Sequence, residues 1–209
     1  MATAIQRAQA DLAVTQQRIA SGKKAQNYAD LGSIAPRILS AHSMLARADA
    51  HAAVGEQVST TLSIYDASFT NIDSAADNLR QTLLQAVGTG QTTGVQAVID
   101  GAFHTFRNSL NVTERGVALF GGAQTEATPF TVDQLPNLVG TTPASVFAND
   151  QVKASAEVGE GQQIQYGLLA SDVGNDLYLA FRSLAEAGSF GTTPTAAQSA
   201  KITQALTYL

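Results

Sequence analysis

The sequence predicts a mainly α protein, built as a long antiparallel helical coiled-coil rod with a small β-rich insertion. The first observation is that apolar residues recur every three or four positions from residue 38 to residue 83, which keeps them on one side of an α-helix. The second is that shorter stripes of the same period stand near both ends of the chain. The third is a stretch from 118 to 170 that is rich in glycine and proline and contains short alternating runs.

The long helix is the main predicted element. No proline follows Pro36 within it, and Pro36 stands in the first turn, where a helix tolerates the missing N–H group. About 50 residues at about 1.5 Å each give a length of roughly 75 Å. We predict that the stripe is a buried packing seam, called the predicted seam below. It consists of Ile38, Leu45, Val58, Leu62, Tyr65, Phe69, Ile72, Leu79 and Leu83.

Four shorter helices complete the predicted rod. The first covers residues 3–20, with Ile5, Leu12 and Ile19 on one face, and stops at Ser21-Gly22, a good C-terminal signal. The next runs from Val95 to about Gly116. Two more cover residues 175–187 and a final stretch capped by Thr195. We expect the long helix to run antiparallel to the first, the third and the last helix, because their stripes share one period.

The predicted domains follow from this pattern. Residues 1–117 and 171–209 form the helical rod, and residues 118–170 form the β-rich insertion. Within the insertion, Val152–Val158 and Gln162–Tyr166 alternate around Gly159-Glu160-Gly161, which predicts a β-hairpin. The stripes are in register at Ile5 and at Leu209, so we expect both ends to be truncated within helices.

The composition excludes several classes of partner. Charged residues make up 14% of the 209 residues, the net charge is −5, and the basic residues are scattered, so neither nucleic acid nor an anionic membrane is an expected partner. The chain has no cysteine, which excludes disulfides, zinc–thiolate sites and cysteine nucleophiles. No apolar run is long enough for a membrane span, and the N-terminus lacks the apolar core of a signal peptide.

The sequence contains no pattern typical of catalysis. His42, His51 and His104 lack the spacing that places metal ligands on one helical face. The glycine-rich stretch 88–94 follows a helix and lacks the lysine of a phosphate-binding loop, so we interpret it as a turn. We therefore predict no enzyme activity, no catalytic residue, no metal and no cofactor.

Two motifs resemble the flagellin superfamily, and within it the hook–filament junction proteins. The first is the end of the first helix at Ser21-Gly22-Lys23, followed by a loop that contains Asp30. The second is Leu119-Phe120-Gly121-Gly122-Ala123 with Thr128-Pro129-Phe130, which is similar to the junction that opens the β segment in that family. One departure is that Asp30 and Pro36 are spread apart, where the family usually has Asp-Asp-Pro.

The resemblance implies a structural subunit of the bacterial flagellum that joins hook to filament and assembles by lateral helix packing into a tubular ring. The implied partners are further copies, the hook-side junction protein and flagellin, with an export chaperone that binds a missing C-terminal segment. The implied location is extracellular, after export by the flagellar type III apparatus without a cleaved signal peptide. A filament flagellin is the first alternative, and a secreted coiled-coil adhesin or effector module is the second.

Overall fold

A computed structural model describes residues 2–23 and 32–209 and shows a mainly α protein with two small antiparallel strand pairs. The predicted fold class is confirmed. The chain divides into two compact units, one ending at His51 and one running from Ala52 to Leu209. This boundary differs from the predicted division into rod and insertion, which stays a prediction.

The first unit contains α1 (Ala2–Ser21) and the beginning of α2 (Ala35–Thr89). Gly22 ends α1 in the left-handed region at φ +64°, a conformation that glycine adopts without strain. The predicted apolar face of α1 is solvent-exposed: Ile5 is 59%, Leu12 60% and Ile19 78% exposed. None of the side chains described at 3–23 and 32–51 is buried, so the expected packing of this face is not found within the unit.

In the second unit, α2 is followed by α3 (Val95–Leu110), which is shorter than predicted. The predicted extension to Gly116 is wrong, because β1 (Thr113–Glu114) and β2 (Val117–Ala118) pair antiparallel instead. Arg115 and Gly116 form the two-residue turn, with φ of +52° and +85°. Two consecutive positive φ angles match the twist of a tight hairpin, and the second position suits glycine.

Residues 119–169 form a mostly irregular segment. It contains a 3₁₀ turn (Leu135–Leu138), the single helical turn α4 (Pro143–Val146), and the strands β3 (Ser155–Gly159) and β4 (Gln162–Gln165). The predicted hairpin is therefore present as an antiparallel β3–β4 pair with an irregularity between Glu157 and Gly159.

The chain ends in α5 (Ala170–Glu186) and α6 (Ala196–Leu206). Thr195 caps α6 as predicted: its hydroxyl accepts from the Gln198 backbone N–H at 3.2 Å, and its own N–H donates to the Gln198 side chain at 3.0 Å. Gly174 allows α5 to approach α3 closely, because a Cβ atom there would lie 2.8 Å from the Leu110 side chain.

An aromatic cluster forms the core of the second unit. Rings from α3, α5 and the 119–169 segment meet edge to face: Phe103 and Phe181 lie 5.5 Å apart, and Phe106 and Phe130 lie 5.2 Å apart. Phe120, Tyr178 and Leu138 are also fully buried. Residues of the irregular segment thus pack in the same core as the helices.

Candidate functional site

The predicted seam is only partly buried. Val58, Tyr65, Leu79 and Leu83 are buried. Phe69 and Ile72 are partly buried against the core, and Ile38 is partly exposed. The expected burial is wrong at Leu45 and Leu62, whose side chains are 59% and 46% exposed.

The buried stripe of α2 lies one residue away from the predicted one at two places. Thr61 is buried where Leu62 was expected, and Ser68 is more buried than Phe69. Hydrogen bonds make this possible. The Thr61 hydroxyl lies 3.1 Å from the Gln57 carbonyl, and the Ser68 hydroxyl donates to the Ile64 carbonyl at 2.9 Å. A buried hydroxyl with a partner costs little, so an apolar pattern alone does not locate the buried face.

Tyr65 links α2 to two distant parts of the chain. Its hydroxyl donates to the Leu119 carbonyl at 2.7 Å and accepts from the Leu168 N–H at 3.4 Å. Its ring meets Phe120 edge to face at 4.8 Å. Burial raises the pKa of Tyr65 above its usual value, and the hydrogen bond from Leu168 partly opposes that rise. Tyr65 therefore holds both ends of the 119–169 segment against α2.

Glu114 fixes the β1–β2 hairpin to the same helix. Its carboxylate accepts from the Gln57 side chain at 2.6 Å and lies 2.8 Å from the Thr61 hydroxyl. This contact was not predicted, since the expected helix from Val95 to about Gly116 includes Glu114. The Arg115-Gly116 pair was the available signal, because a glycine after a polar residue between short alternating runs is typical of a tight hairpin.

The Phe120-Gly121-Gly122 motif forms a tight loop that requires glycine at both positions. A Cβ atom at Gly121 would lie 2.6 Å from the Gln124 carbonyl oxygen. A Cβ atom at Gly122, where φ is +67°, would lie 2.2 Å from Asp150 Oδ1. That oxygen accepts from the backbone N–H groups of Ala123 at 3.0 Å and Val152 at 2.9 Å. The close approach of Gly122 thus ties this loop to the chain that leads into β3.

The Pro129-Phe130 motif is held by the side chain of Asn111. Asn111 Nδ2 donates to the Phe130 carbonyl, and Phe130 N–H donates to Asn111 Oδ1, both at 2.8 Å. The Pro129 carbonyl accepts from Ala148 at 2.9 Å. Phe130 is fully buried. Both parts of the second motif therefore lie at the start of the irregular segment: Phe120-Gly121-Gly122 forms a tight loop, and Phe130 is buried and bridges to Phe147.

The N-terminal motif lies in the first unit. Ser21 and Gly22 end α1, and the Lys23 N–H donates to the Ser21 hydroxyl at 3.3 Å. Asp30 lies outside the described residues. Ser21, Gly22 and Lys23 are all exposed. The structure places them at the C-terminal end of α1.

The histidines and carboxylates of the described residues were also compared with the arrangement that a metal site needs. Among these residues, no group of three or more His, Cys, Asp or Glu side chains is placed to hold a metal ion. His42 and His104 are exposed, and His51 is partly exposed. None of the described helices is long and apolar enough to cross a membrane.

Comparison with known proteins adds a sequence match that covers more than half of the chain. The family model of the bacterial flagellin N-terminal helical region matches residues 1–125. This chain belongs to the flagellin family. It is a structural, axial subunit of the bacterial flagellum. Members of the flagellin family assemble with copies of themselves and with neighbouring flagellar proteins outside the cell.

One solved structure supports the fold of this flagellin-family chain. A protein of Vibrio parahaemolyticus, assigned as a flagellar hook-associated protein, is similar with a TM-score of 0.68 at 13% identity, over 87% of this chain and 81% of that one. The FlgL protein of Bacillus cereus aligns with a TM-score of 0.46 at 12% identity, over 74% and 77% of the two chains, and supports no argument. No curated protein sequence matches the chain.

Proposed function

We propose that this flagellin-family chain is a hook–filament junction subunit, which packs side by side as a tubular ring and connects the hook to the filament. The observation that carries the proposal is the structure of one motif, which consists of the tight loop at Phe120–Gly122 and the buried pair Pro129-Phe130. They correspond to the motif that resembles junction proteins. The short segment 118–170, which they open, also suits a junction protein better than a flagellin with an outer domain.

The surface of α2 supports a role in lateral packing. Leu45 and Leu62 belong to the predicted seam but are exposed in the single chain. We infer that neighbouring copies pack on α2 at these two leucines. In this proposal the helical body, residues 1–117 and 171–209, forms the ring. Leu45 and Leu62, which are exposed in the single chain, pack against neighbouring copies in the ring.

Deletion of the gene tests the assignment. Because the proposed subunit connects the hook to the filament, we expect cells that retain hooks and lack filaments. Immunogold labelling should place the protein at the hook tip. Loss of filaments with the protein found along their whole length would instead identify a filament flagellin, and normal motility would favour the adhesin or effector alternative.

The proposed export route has a separate test. We infer that the flagellar type III apparatus exports the chain without cleavage, helped by a chaperone that binds a C-terminal segment. The protein should disappear from the medium of cells that lack the export apparatus. Mass spectrometry of the exported protein should show an intact N-terminus. An exported form that lacks its N-terminal residues would contradict this route.

A further inference from the structure

The β3–β4 hairpin, in the middle of the chain, has a strand edge that carries no further strand. All four residues of β4 are exposed. Among the described residues, the backbone of β4 forms hydrogen bonds only with β3. A strand edge of this kind presents a row of N–H and C=O groups that another strand can bind.

The two strands of the hairpin differ in how their edges are protected. Proteins protect an open edge with a charged side chain, a proline or a bulge. β3 carries Glu157 and has an irregularity between Glu157 and Gly159. β4 contains no charged residue and no proline. The edge of β4 is therefore the one suited to pairing.

The backbone groups of β4 point alternately towards β3 and away from it. The Tyr166 N–H, directly after β4, donates to the Ala154 carbonyl at 3.0 Å and so points to the β3 side. Because these directions alternate along an antiparallel strand, Ile164 also bonds towards β3. Gln163 and Gln165 direct their N–H and C=O groups outwards. The side chain of Ile164 is 40% exposed.

We propose that β4 of one copy pairs antiparallel with β4 of a second copy, across a two-fold axis at Ile164, to form a four-stranded sheet. In this register Gln163 of each copy lies opposite Gln165 of the other. Each of these two pairs exchanges two backbone hydrogen bonds, so the outward donors and acceptors satisfy one another. The two Ile164 side chains lie opposite each other on one face, where cross-strand apolar pairs stabilise a sheet.

Charge selects a second β4 strand as the occupant. The strand order becomes β3, β4, β4, β3, which places the two Glu157 carboxylates three strand spacings apart, about 14 Å. This separation exceeds the Debye length of about 8 Å at physiological ionic strength. Pairing through β3 would instead put both Glu157 side chains on adjacent strands, where like charges are destabilising. The charged outer strands also limit the assembly to two copies.

The size and symmetry of the contact define when it forms. Two strands of four residues bury far less surface than the about 1,200 Å² of a stable interface, so the pair is weak and depends on concentration. A two-fold contact sets two copies head to head, whereas the copies in a ring all point the same way around it. The inference therefore concerns the free chain and goes beyond the proposed function.

Disulfide trapping tests the register, because the chain has no native cysteine. Ile164→Cys, Gln163→Cys and Gln165→Cys are prepared separately in the full chain and oxidised mildly at high protein concentration. The disulfide-linked dimer is measured by mass spectrometry. The two glutamine variants are matched controls, because they change exposed residues of the same strand.

We expect Ile164→Cys to give about tenfold more dimer than either glutamine variant, because only its two Cα atoms, about 4.5 Å apart, lie within disulfide reach. The two 163 positions, like the two 165 positions, are diagonal neighbours at about 7–8 Å. A mixture of Gln163→Cys and Gln165→Cys should yield mainly the mixed 163–165 dimer. Equal yields from the three single variants, or no excess of the mixed dimer, would overturn the proposal.

A proline variant tests the hydrogen bonds of the edge. Gln163→Pro removes an outward N–H group without removing a bond to β3. Added to Ile164→Cys, it should lower the dimer yield to that of the glutamine controls, whereas Gln163→Ser, which keeps the N–H group, should not. A yield insensitive to Gln163→Pro would contradict pairing through β4.

Two further measurements keep the test decisive. If Ile164→Cys lowers the melting temperature, the 163–165 mixture tests the same register at two exposed positions. In dilute solution the thiol of Gln163→Cys should react readily with a maleimide, and protection there would show that the edge is covered within one copy, which overturns the proposal. Loss of the register pattern in a protein that still labels hook tips would remove the β4 pair and leave the proposed function intact.

Discussion

At the scale of single residues, Gly122 combines a left-handed backbone with a close contact. We expect Gly122→Ala to destabilise the protein by clearly more than Gly140→Ala. Gly140 has φ +75° but open space around a Cβ atom, so its substitution costs only the backbone strain of about 1–2 kcal/mol. At Gly122 the added methyl also meets Asp150 Oδ1 at 2.2 Å. Urea melts of both variants measure the difference, and equal losses would show that Asp150 moves aside freely.

Tyr65 is the second residue with a testable role. We expect Tyr65→Phe to cost about 1–3 kcal/mol, because it leaves the Leu119 carbonyl and the Leu168 N–H without their partner. Tyr208→Phe is the control, since Tyr208 is 36% exposed. Its thermal melt should match that of the unmodified chain. A Tyr65→Phe variant as stable as the Tyr208→Phe variant would mean that water replaces the lost hydroxyl.

At the scale of elements, the buried stripe of α2 predicts unequal effects along one helix. Leu79 is fully buried and Leu62 is 46% exposed, although both belong to the predicted seam. We expect Leu79→Ala to cost about 2–5 kcal/mol, the range for a leucine truncated in a core. Leu62→Ala should cost less than about 1 kcal/mol. Equilibrium unfolding decides this; equal effects would mean that Leu62 is buried in solution.

The packing of α6 on α5 predicts a dependence on pH. Glu186 lies 3.0 Å from Arg182 and 2.5 Å from Lys201 of α6. The hydrogen bond from Lys201 lowers the pKa of Glu186, desolvation opposes this, and the hydrogen bond from Arg182 adds to it. Because the folded-state pKa is depressed, the stabilisation is complete above the unfolded pKa of about 4.5 and is lost as pH falls through the folded value.

Glu186→Gln tests this dependence. The variant should be less stable than the unmodified chain at pH 7, and the difference in melting temperature should shrink as the pH is lowered below about 4.5. Asp100→Asn is a suitable control, because Asp100 accepts a hydrogen bond from Gln96 and has no ion pair among the described residues. A difference for Glu186→Gln that stays constant with pH would contradict the prediction.

At the scale of the whole molecule, the exposed apolar face of α1 predicts weak self-association. We expect a monomer or weak oligomer whose average mass rises with concentration at tens of micromolar, because weakly charged helical surfaces make contacts that are individually weak and gain strength by repetition. Replacing Leu12 and Ile19 by serine should reduce the association, as measured by analytical ultracentrifugation. A tight dimer or trimer independent of concentration would instead favour a coiled-coil adhesin.

Most helices could be predicted from the sequence. The period of three and four residues located α1 and α2, and the glycine and threonine signals at Gly22 and Thr195 marked where helices end and begin. The end of α3 could not be predicted in this way. Its apolar stripe continues to Val117, but Asn111 bonds to the backbone of Phe130, and this contact between distant segments accompanies the end of the helix.

The candidate site was predictable only as a set of motifs. The sequence pattern identified Phe120–Gly122 and Pro129–Phe130 as a motif. It did not identify Asp150 and Asn111, whose side chains form hydrogen bonds with the backbone at these positions. Asn111 bonds to the backbone of Phe130, and Asp150 bonds to the N–H of Ala123 as well as to that of the nearby Val152. The contacts with Phe130 and Ala123 join segments about 20 to 30 residues apart, which local spacing does not predict. The error at Leu62 is of another kind. The helical period was predicted correctly, but Leu62 was expected in the core and is exposed.

The sequence by itself determined the fold class and the lengths of α1 and α2, because helical period and capping signals are local properties. Its motifs resemble the flagellin family, and the match of residues 1–125 to the family model shows the membership. The tertiary structure alone decided that Thr61 and Ser68 of α2 are buried, where α3 ends and which charges have ion-pair partners. These outcomes depend on hydrogen bonds such as those of Thr61, Tyr65 and Glu114. Their partners come together only when distant segments pack, and no spacing along the chain encodes them.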